Sequence, residues 1–358
     1  RILPSGKNSI NKEGLEFYDR LIDHILELDI KTFATLYHWD LPNLLAEKGG
    51  WQNRDTADYF GDYSELIIKK FGDRLFSIAT INEPWCVSWL SHYIGEHAPG
   101  IKDKNAAVKS MHNILLAHGK SLSRMRDYNH KNLGIVLNKN YCQPYNNSEE
   151  AMEATNICDE IYNLWFDEAI FNGRYPTKTL KIFERYMPKE FEEDLFEINK
   201  PIDWIGINYY TRSLVDYDQD DQFIKFKQKR GNLDVTDMGW EIFPQGLEFI
   251  LKRLNLHYSK NIPIHITENG MARNDKLENG SINDLERISF FDLHLKTLLK
   301  LISEGLPLKS YFAWSLLDNF EWAYGYSKRF GIVYVDYSNQ ERIPKSSYKE
   351  FQKNLLNQ

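Results

Sequence analysis

The constraint that most narrows the fold of this chain is an alternation along its length of short apolar runs with longer segments of helical periodicity. Apolar runs at 32–37, 75–81, 133–138, 203–209, 263–267 and 309–315 predict six strands of parallel type. Between them, helices are predicted near 11–28, 55–71, 106–127, 148–171, 241–258 and 284–304. Asn11 stands where a helix cap is expected, ahead of Leu15, Tyr18, Ile22 and Ile25 at helical spacing. Strand, helix, strand in repetition buries both faces of a parallel sheet. The polar stretch Asp216–Lys229 reads as an insertion loop, and its acidic residues lack the spacing of a calcium loop.

Composition removes several function classes. The formal net charge is −7, which argues against nucleic acid or an anionic membrane as the main partner. No apolar run is long enough to span a bilayer. Three cysteines, Cys86, Cys142 and Cys158, have no spacing of a disulfide framework or a zinc site. His112 and His118 lie six apart on a helix and do not form an adjacent ligand pair. No phosphate loop, H-E-x-x-H or nucleophile elbow is present. A cytoplasmic location is the expectation for such a chain, although it opens on Arg1 without a recognisable start.

Two glutamates stand at predicted strand ends, in Thr80-Ile81-Asn82-Glu83-Pro84 and Ile266-Thr267-Glu268-Asn269-Gly270. A carboxylate ending an apolar strand costs desolvation energy unless it is paired or used. Each motif alone has an ordinary reading, since a loop Glu is commonly solvated and Asn-Gly marks turns. Further segments accompany them: Phe71-Gly72-Asp73-Arg74, Tyr93 to Gly100, Gly206-Ile207-Asn208-Tyr209-Tyr210, Met238-Gly239-Trp240-Glu241-Ile242 and Trp314 to Trp322. In this order they resemble glycoside hydrolase family 1, and the resemblance covers essentially the whole chain.

The resemblance implies a single (β/α)8 TIM-barrel catalytic domain over 1–358, with chemistry at the C-terminal strand ends. It further implies retaining β-glycosidase activity on β-glucosides, with β-galactosides or β-fucosides also open. Glu268 is then the nucleophile, and Glu83 the acid/base whose pKa the neighbouring charge raises. Retention asks for two carboxyl groups about 5–5.5 Å apart. Tyr210 matches the tyrosine that hydrogen-bonds the nucleophile. His38, Asn82, Asn208, Trp314, Glu321 and Trp322 match substrate-binding positions, with Trp314 as the platform beneath the sugar ring. Glu321 implies an unphosphorylated sugar, because relatives acting on 6-phosphosugars lack this acid. The nearby Lys328 and Arg329 read as structural. No cofactor or metal is implied, and the expected partner is a small oligosaccharide or glycoside.

Six strands do not close an eight-stranded barrel. The first two strands are therefore expected to be absent from this sequence, about 60–90 residues at roughly 30 per βα unit. Their absence is expected to leave a strand edge and part of the barrel interior exposed. Two other readings stay open at this point: a transglycosylase, and a non-catalytic carbohydrate-binding protein. Intact Glu83 and Glu268 speak against the second.

Overall fold

The computed structural model describes residues 1–7 and 9–356. The chain divides into two compact units, residues 1–138 with 160–206, and residues 139–159 with 207–358.

In the first unit the predicted alternation is present. Helix Lys12–Glu27 precedes strand β1 (Phe33–Tyr37), and helix Asp55–Phe71 precedes β2 (Ser77–Asn82). Helix Lys104–Arg126 leads to β3 (Leu133–Pro144), whose first half lies in this unit. β1 and β2 run parallel in the register Phe33↔Ser77 to Tyr37↔Ile81. β2 pairs in parallel with β3, with a register shift between Ala79 and Asn82. All six residues of β2 are buried, as a strand covered on both faces requires. Asn11 occupies the cap position of the first helix but makes no cap bond; its amide donates instead to the Arg1 carbonyl at 3.0 Å. The capping bond that does form is at Asp103, whose carboxylate accepts from the Ala106 amide at 2.7 Å. Among the described residues β1 pairs with β2 alone, and a cavity of about 480 Å³ opens alongside it, lined by Tyr18, Ile25, Ala34, Leu36, Tyr59 and Tyr63 among others.

The second unit holds most of β4 (Trp204–Tyr217), then β5 (Phe226–Lys229), β6 (Ile264–Asn269) and β7 (Leu308–Ala313), in the sheet order β4-β6-β7. A β8–β9 hairpin (Val333–Val335, Arg342–Pro344) and helix Ser346–Leu356 follow, neither expected from the sequence. The core beneath β7 gathers Met271, Phe290, Phe291, Ile332 and Val333. The stretch Asp216–Lys229 is not a plain loop: β5 folds back antiparallel on β4, pairing Leu214↔Lys229 to Tyr217↔Phe226. Its acidic residues build the turn, since Asp221 accepts from the amides of Phe223 and Ile224 at 2.7 and 2.9 Å. Lys227 and Lys229 face Asp218 and Asp216 across the hairpin, so charges occupy positions that an apolar alternation would otherwise mark.

Gly270, which reads in sequence as half of a turn signal, has a different task. A Cβ at this position would lie 1.9 Å from the Trp314 carbonyl oxygen, so glycine alone lets the end of β7 close on β6. Gly270→Ala is therefore expected to lower the melting temperature more than Gly280→Ala. Gly280 sits at φ +75° with open space around it, so its substitution costs only backbone strain. Equal shifts in thermal unfolding would contradict the close-approach explanation.

A buried polar network ties four segments of the first unit. His112 bonds Asp194 at 2.9 Å through Nε2 and the Tyr175 hydroxyl at 2.8 Å through Nδ1, while Arg54 grips the same carboxylate with two nitrogens. Burial pushes Asp194 up, but the bonds from Arg54 and His112 outweigh it and bring it down to about 2. Burial holds His112 below its ordinary 6.5, against the pull of Asp194. As pH falls below 6.5, the unfolded chain gains a proton on this histidine that the folded chain does not take. Stability accordingly drops on acidification from pH 7 to 5, and His112→Gln should make that drop smaller. Urea unfolding at the two pH values measures it; an unchanged drop would show that His112 is not held neutral. Asp194 acts at lower pH, its contribution being present above the ordinary 3.8 and lost as pH falls towards 2.

Candidate active site

The first unit presents Glu83, Asn82 and His38 at neighbouring strand ends. Because β1 and β2 pair with Tyr37 opposite Ile81, the next residues, His38 and Asn82, emerge side by side. The Asn82 amide donates to His38 Nε2 at 3.2 Å, and Trp39 Nε1 donates to the Asn82 carbonyl at 3.0 Å. Burial pulls His38 down to about 4, with Asp40 pulling the other way, so the ring is neutral at physiological pH. A neutral imidazole whose Nε2 accepts carries its proton on Nδ1 and is suited to a hydroxyl-bearing ligand.

Glu83 follows directly, 6% exposed and at φ +52°. A non-glycine residue in the left-handed region costs about 1–3 kcal/mol and persists where its surroundings hold it. Here its amide donates to the Val136 carbonyl at 2.9 Å, and its own carbonyl accepts from Val87 at 3.2 Å. The strand bond and the first turn of the wide helix Cys86–Ile94 thus fix the backbone on both sides. Such strained, buried carboxylates cluster at functional sites.

The second unit presents Asn208, Tyr210, Glu268, Trp314, Glu321 and Trp322. Glu268 is 8% exposed, and the Tyr210 hydroxyl donates to its Oε2 at 2.7 Å. The Tyr210 ring is packed by Trp240 and Phe330, with centroids at 5.2 and 6.1 Å. Three consecutive residues of β6 bond three consecutive residues of β4. Thr267 donates to Asn208 Oδ1 at 2.6 Å, Glu268 accepts from Tyr210, and the Asn269 amide donates to the Tyr209 carbonyl at 2.7 Å. Asn208 is fully buried, and its amide oxygen is used within the protein.

Trp314 follows β7 and donates its amide to the Asn269 carbonyl at 2.9 Å. Beyond it, the loop carrying Glu321 and Trp322 is closed by backbone bonds, Glu321 to Gly325 at 2.7 Å and Tyr324 to Glu321 at 2.8 Å. Its base is held by Asp318, which accepts from Arg329, Lys345 and the Gly331 amide at 2.6, 2.9 and 2.9 Å. Lys328 donates to the Asp237 carbonyl at 2.6 Å, so both residues of the basic pair near Glu321 bond within the protein. Sequence reading passed over Thr267, Asn269 and Tyr311. The first two lie in the strand-end motif, but nothing local indicates which strand their side chains reach.

The model of glycosyl hydrolase family 1 matches residues 1–358. The chain is similar to the 1,4-beta-D-glucan glucohydrolase of Thermotoga neapolitana, with 45% identity covering 97% of this chain and 78% of that protein. A solved family 1 β-glucosidase from Thermotoga maritima superposes with a TM-score of 0.96 at 44% identity, covering 100% of this chain and 80% of that one. The β-glucosidase from the same organism in complex with deoxynojirimycin gives a TM-score of 0.96 at 43% identity, with coverage of 99% and 80%. The alternating strands and helices described above are thus those of a (β/α)8 barrel. The chain belongs to glycosyl hydrolase family 1.

Proposed function

We propose that this glycosidase hydrolyses β-glucosides of unphosphorylated sugars by double displacement, with Glu268 as nucleophile and Glu83 as acid/base. The observation that carries this reading is the 2.7 Å hydrogen bond from Tyr210 to Glu268. A phenol donating to a buried carboxylate favours its ionised form and fixes which oxygen is free to attack. Glu83, buried and backbone-constrained, suits the group that gives a proton to the departing glycosidic oxygen.

Attack of Glu268 on the anomeric carbon, with protonation of the leaving oxygen by Glu83, yields a glycosyl-enzyme ester. Forming the ester consumes the charge on Glu268. Glu83, now ionised, takes a proton from water, which attacks the same carbon and releases the sugar with retained configuration. His38, neutral, and Asn82 suit bonds to sugar hydroxyls, and Trp314 is the aromatic face for the ring on this reading. Glu321 is the group for the outer hydroxyls of the sugar, and its charge opposes a 6-phosphate. Relatives named for activity on glucan and on β-glucosides support the glucoside assignment. Transfer to an acceptor sugar in place of water uses the same intermediate, and product analysis at high acceptor concentration distinguishes the two.

Two outcomes are expected. Glu268→Gly should lose activity on an aryl β-glucoside by several orders of magnitude, and azide should restore turnover to give the inverted glycosyl azide; azide without effect would remove Glu268 as nucleophile. Glu321→Gln should weaken kcat/KM for the aryl glucoside by about tenfold or more and narrow its preference over the 6-phosphoglucoside. Unchanged preference in a side-by-side assay would show that Glu321 does not read that end of the sugar.

A further inference from the structure

We propose that Tyr311 is a positioning residue for the Glu268 carboxylate, acting through Asn269; the inference rests on Glu268 being the nucleophile. Tyr311 is on β7, the strand paired with β6. Its hydroxyl donates to Asn269 Oδ1 at 2.8 Å, and the Asn269 amide donates on to the Tyr209 carbonyl at 2.7 Å. Tyr209 in turn donates its hydroxyl to the Phe243 carbonyl at 2.6 Å. One side-chain chain therefore spans β7, β6 and β4 at the residue that follows Glu268 and the residue that precedes Tyr210.

This position is where the backbone alone does not set the geometry. β6 and β7 pair with Ile266 opposite Tyr311 and Asn269 opposite Ala313, so the register shifts between them. Three steps on β6 answer two on β7, and Glu268 lies within the irregular stretch. A shift of this kind re-aims a side chain and interrupts the ladder bonds that elsewhere fix it. Side-chain bonds take over that function: Thr267 to Asn208 on one side of Glu268, and the Tyr311–Asn269–Tyr209 chain on the other. Asn269 is fully buried, and its own carbonyl also receives the Trp314 amide at 2.9 Å. Amide, side-chain oxygen and main-chain carbonyl of this one residue are thus each assigned to a different strand or loop. Burial holds the Tyr311 phenol well above the ordinary tyrosine range, so it remains a donor throughout the working pH range.

A carboxylate that must attack one carbon along one line is sensitive to small displacements; about 1 Å can cost about a hundredfold. Tyr311→Phe removes one oxygen atom, and the ring that packs against Phe291 stays. The test is a cycle of four proteins: wild type, Tyr311→Phe, Glu268→Gly and the double variant, assayed on an aryl β-glucoside. In the Glu268-containing pair, Tyr311→Phe should slow the pre-steady-state burst of aryl alcohol about tenfold with KM within about twofold. In the Glu268→Gly pair, azide is the nucleophile and needs no aiming, so the rescued rates with and without Tyr311→Phe should agree. Asn269→Ser, which cuts the same chain one bond later, should repeat the pattern.

An equal loss in the azide-rescued pair would overturn the proposal, because a general structural role slows any nucleophile. So would an unchanged burst in Tyr311→Phe. Failure of azide to rescue Glu268→Gly with Tyr311 intact is a separate result, which removes the nucleophile assignment itself and the inference with it.

Discussion

The second unit depends on a group of charges with almost no access to water. Arg287, Lys345, Asp275, Asp284 and Asp318 are buried, and Arg329 joins from the edge. Arg287 meets Asp275 with two nitrogens at 3.0 and 2.8 Å and Asp284 at 2.5 Å. Lys345 bridges Asp275 to Asp318, and Ser347 supplies two further bonds to Asp284. Buried ions are stable only when their hydrogen-bonding capacity is met, and loss of one partner commonly costs about 3–5 kcal/mol. The network therefore rigidifies what it touches. It touches the segment after Gly270, the helix Leu285–Ser303, the β8–β9 hairpin with its following helix, and through Asp318 the base of the loop with Glu321 and Trp322. A loop with exposed aromatic residues is thereby given a fixed foundation.

The same logic applies at smaller scale to the strand ends. The side chains assigned to the chemistry are held by bonds from neighbouring elements. Glu83 is held between β3 and the first turn of a wide helix, Glu268 between two strands and a phenol, and His38 beside Asn82. Rigid strand ends suit the proposed double displacement, in which one carboxyl group forms and releases the ester while the other turns from acid to base. On the proposed assignment neither carboxylate needs to change place between the steps; only the charge on Glu268 and the proton on Glu83 change.

Much of this was legible in the sequence, for identifiable reasons. Parallel strands buried on both faces are nearly continuous apolar runs, so β2 and β6 stand out, as do helices 55–71 and 285–303; β1 and β7 are more exposed but stand beside the family's strand-end motifs. The family resemblance rests on the residues at those strand ends, and it named both glutamates and Tyr210. Other features escaped, three of them for clear physical reasons. The β4–β5 hairpin hid behind Asp and Lys residues, whose pairing is visible only once the strands are adjacent. Gly270 looked like a turn because the carbonyl it makes room for is 44 positions away. Tyr311 carried no signal, since its partner is chosen by register, and register is a property of the sheet. Asn208, a substrate-binding position by resemblance, gives its amide oxygen to Thr267, a bond that no local pattern indicates.

The central claim is that catalysis runs through a covalent ester on Glu268. A 2-deoxy-2-fluoro-β-glucoside with a good leaving group tests it directly, because fluorine at C2 disfavours the oxocarbenium-like transition states and slows both steps, while the leaving group speeds only the first. The intermediate then accumulates, and peptide mapping by mass spectrometry locates it. The account predicts one added fluoroglucosyl group per chain, on the peptide and residue of Glu268. A label on Glu83 or any other residue would contradict it, as would release of the sugar in inverted configuration with no labelled protein.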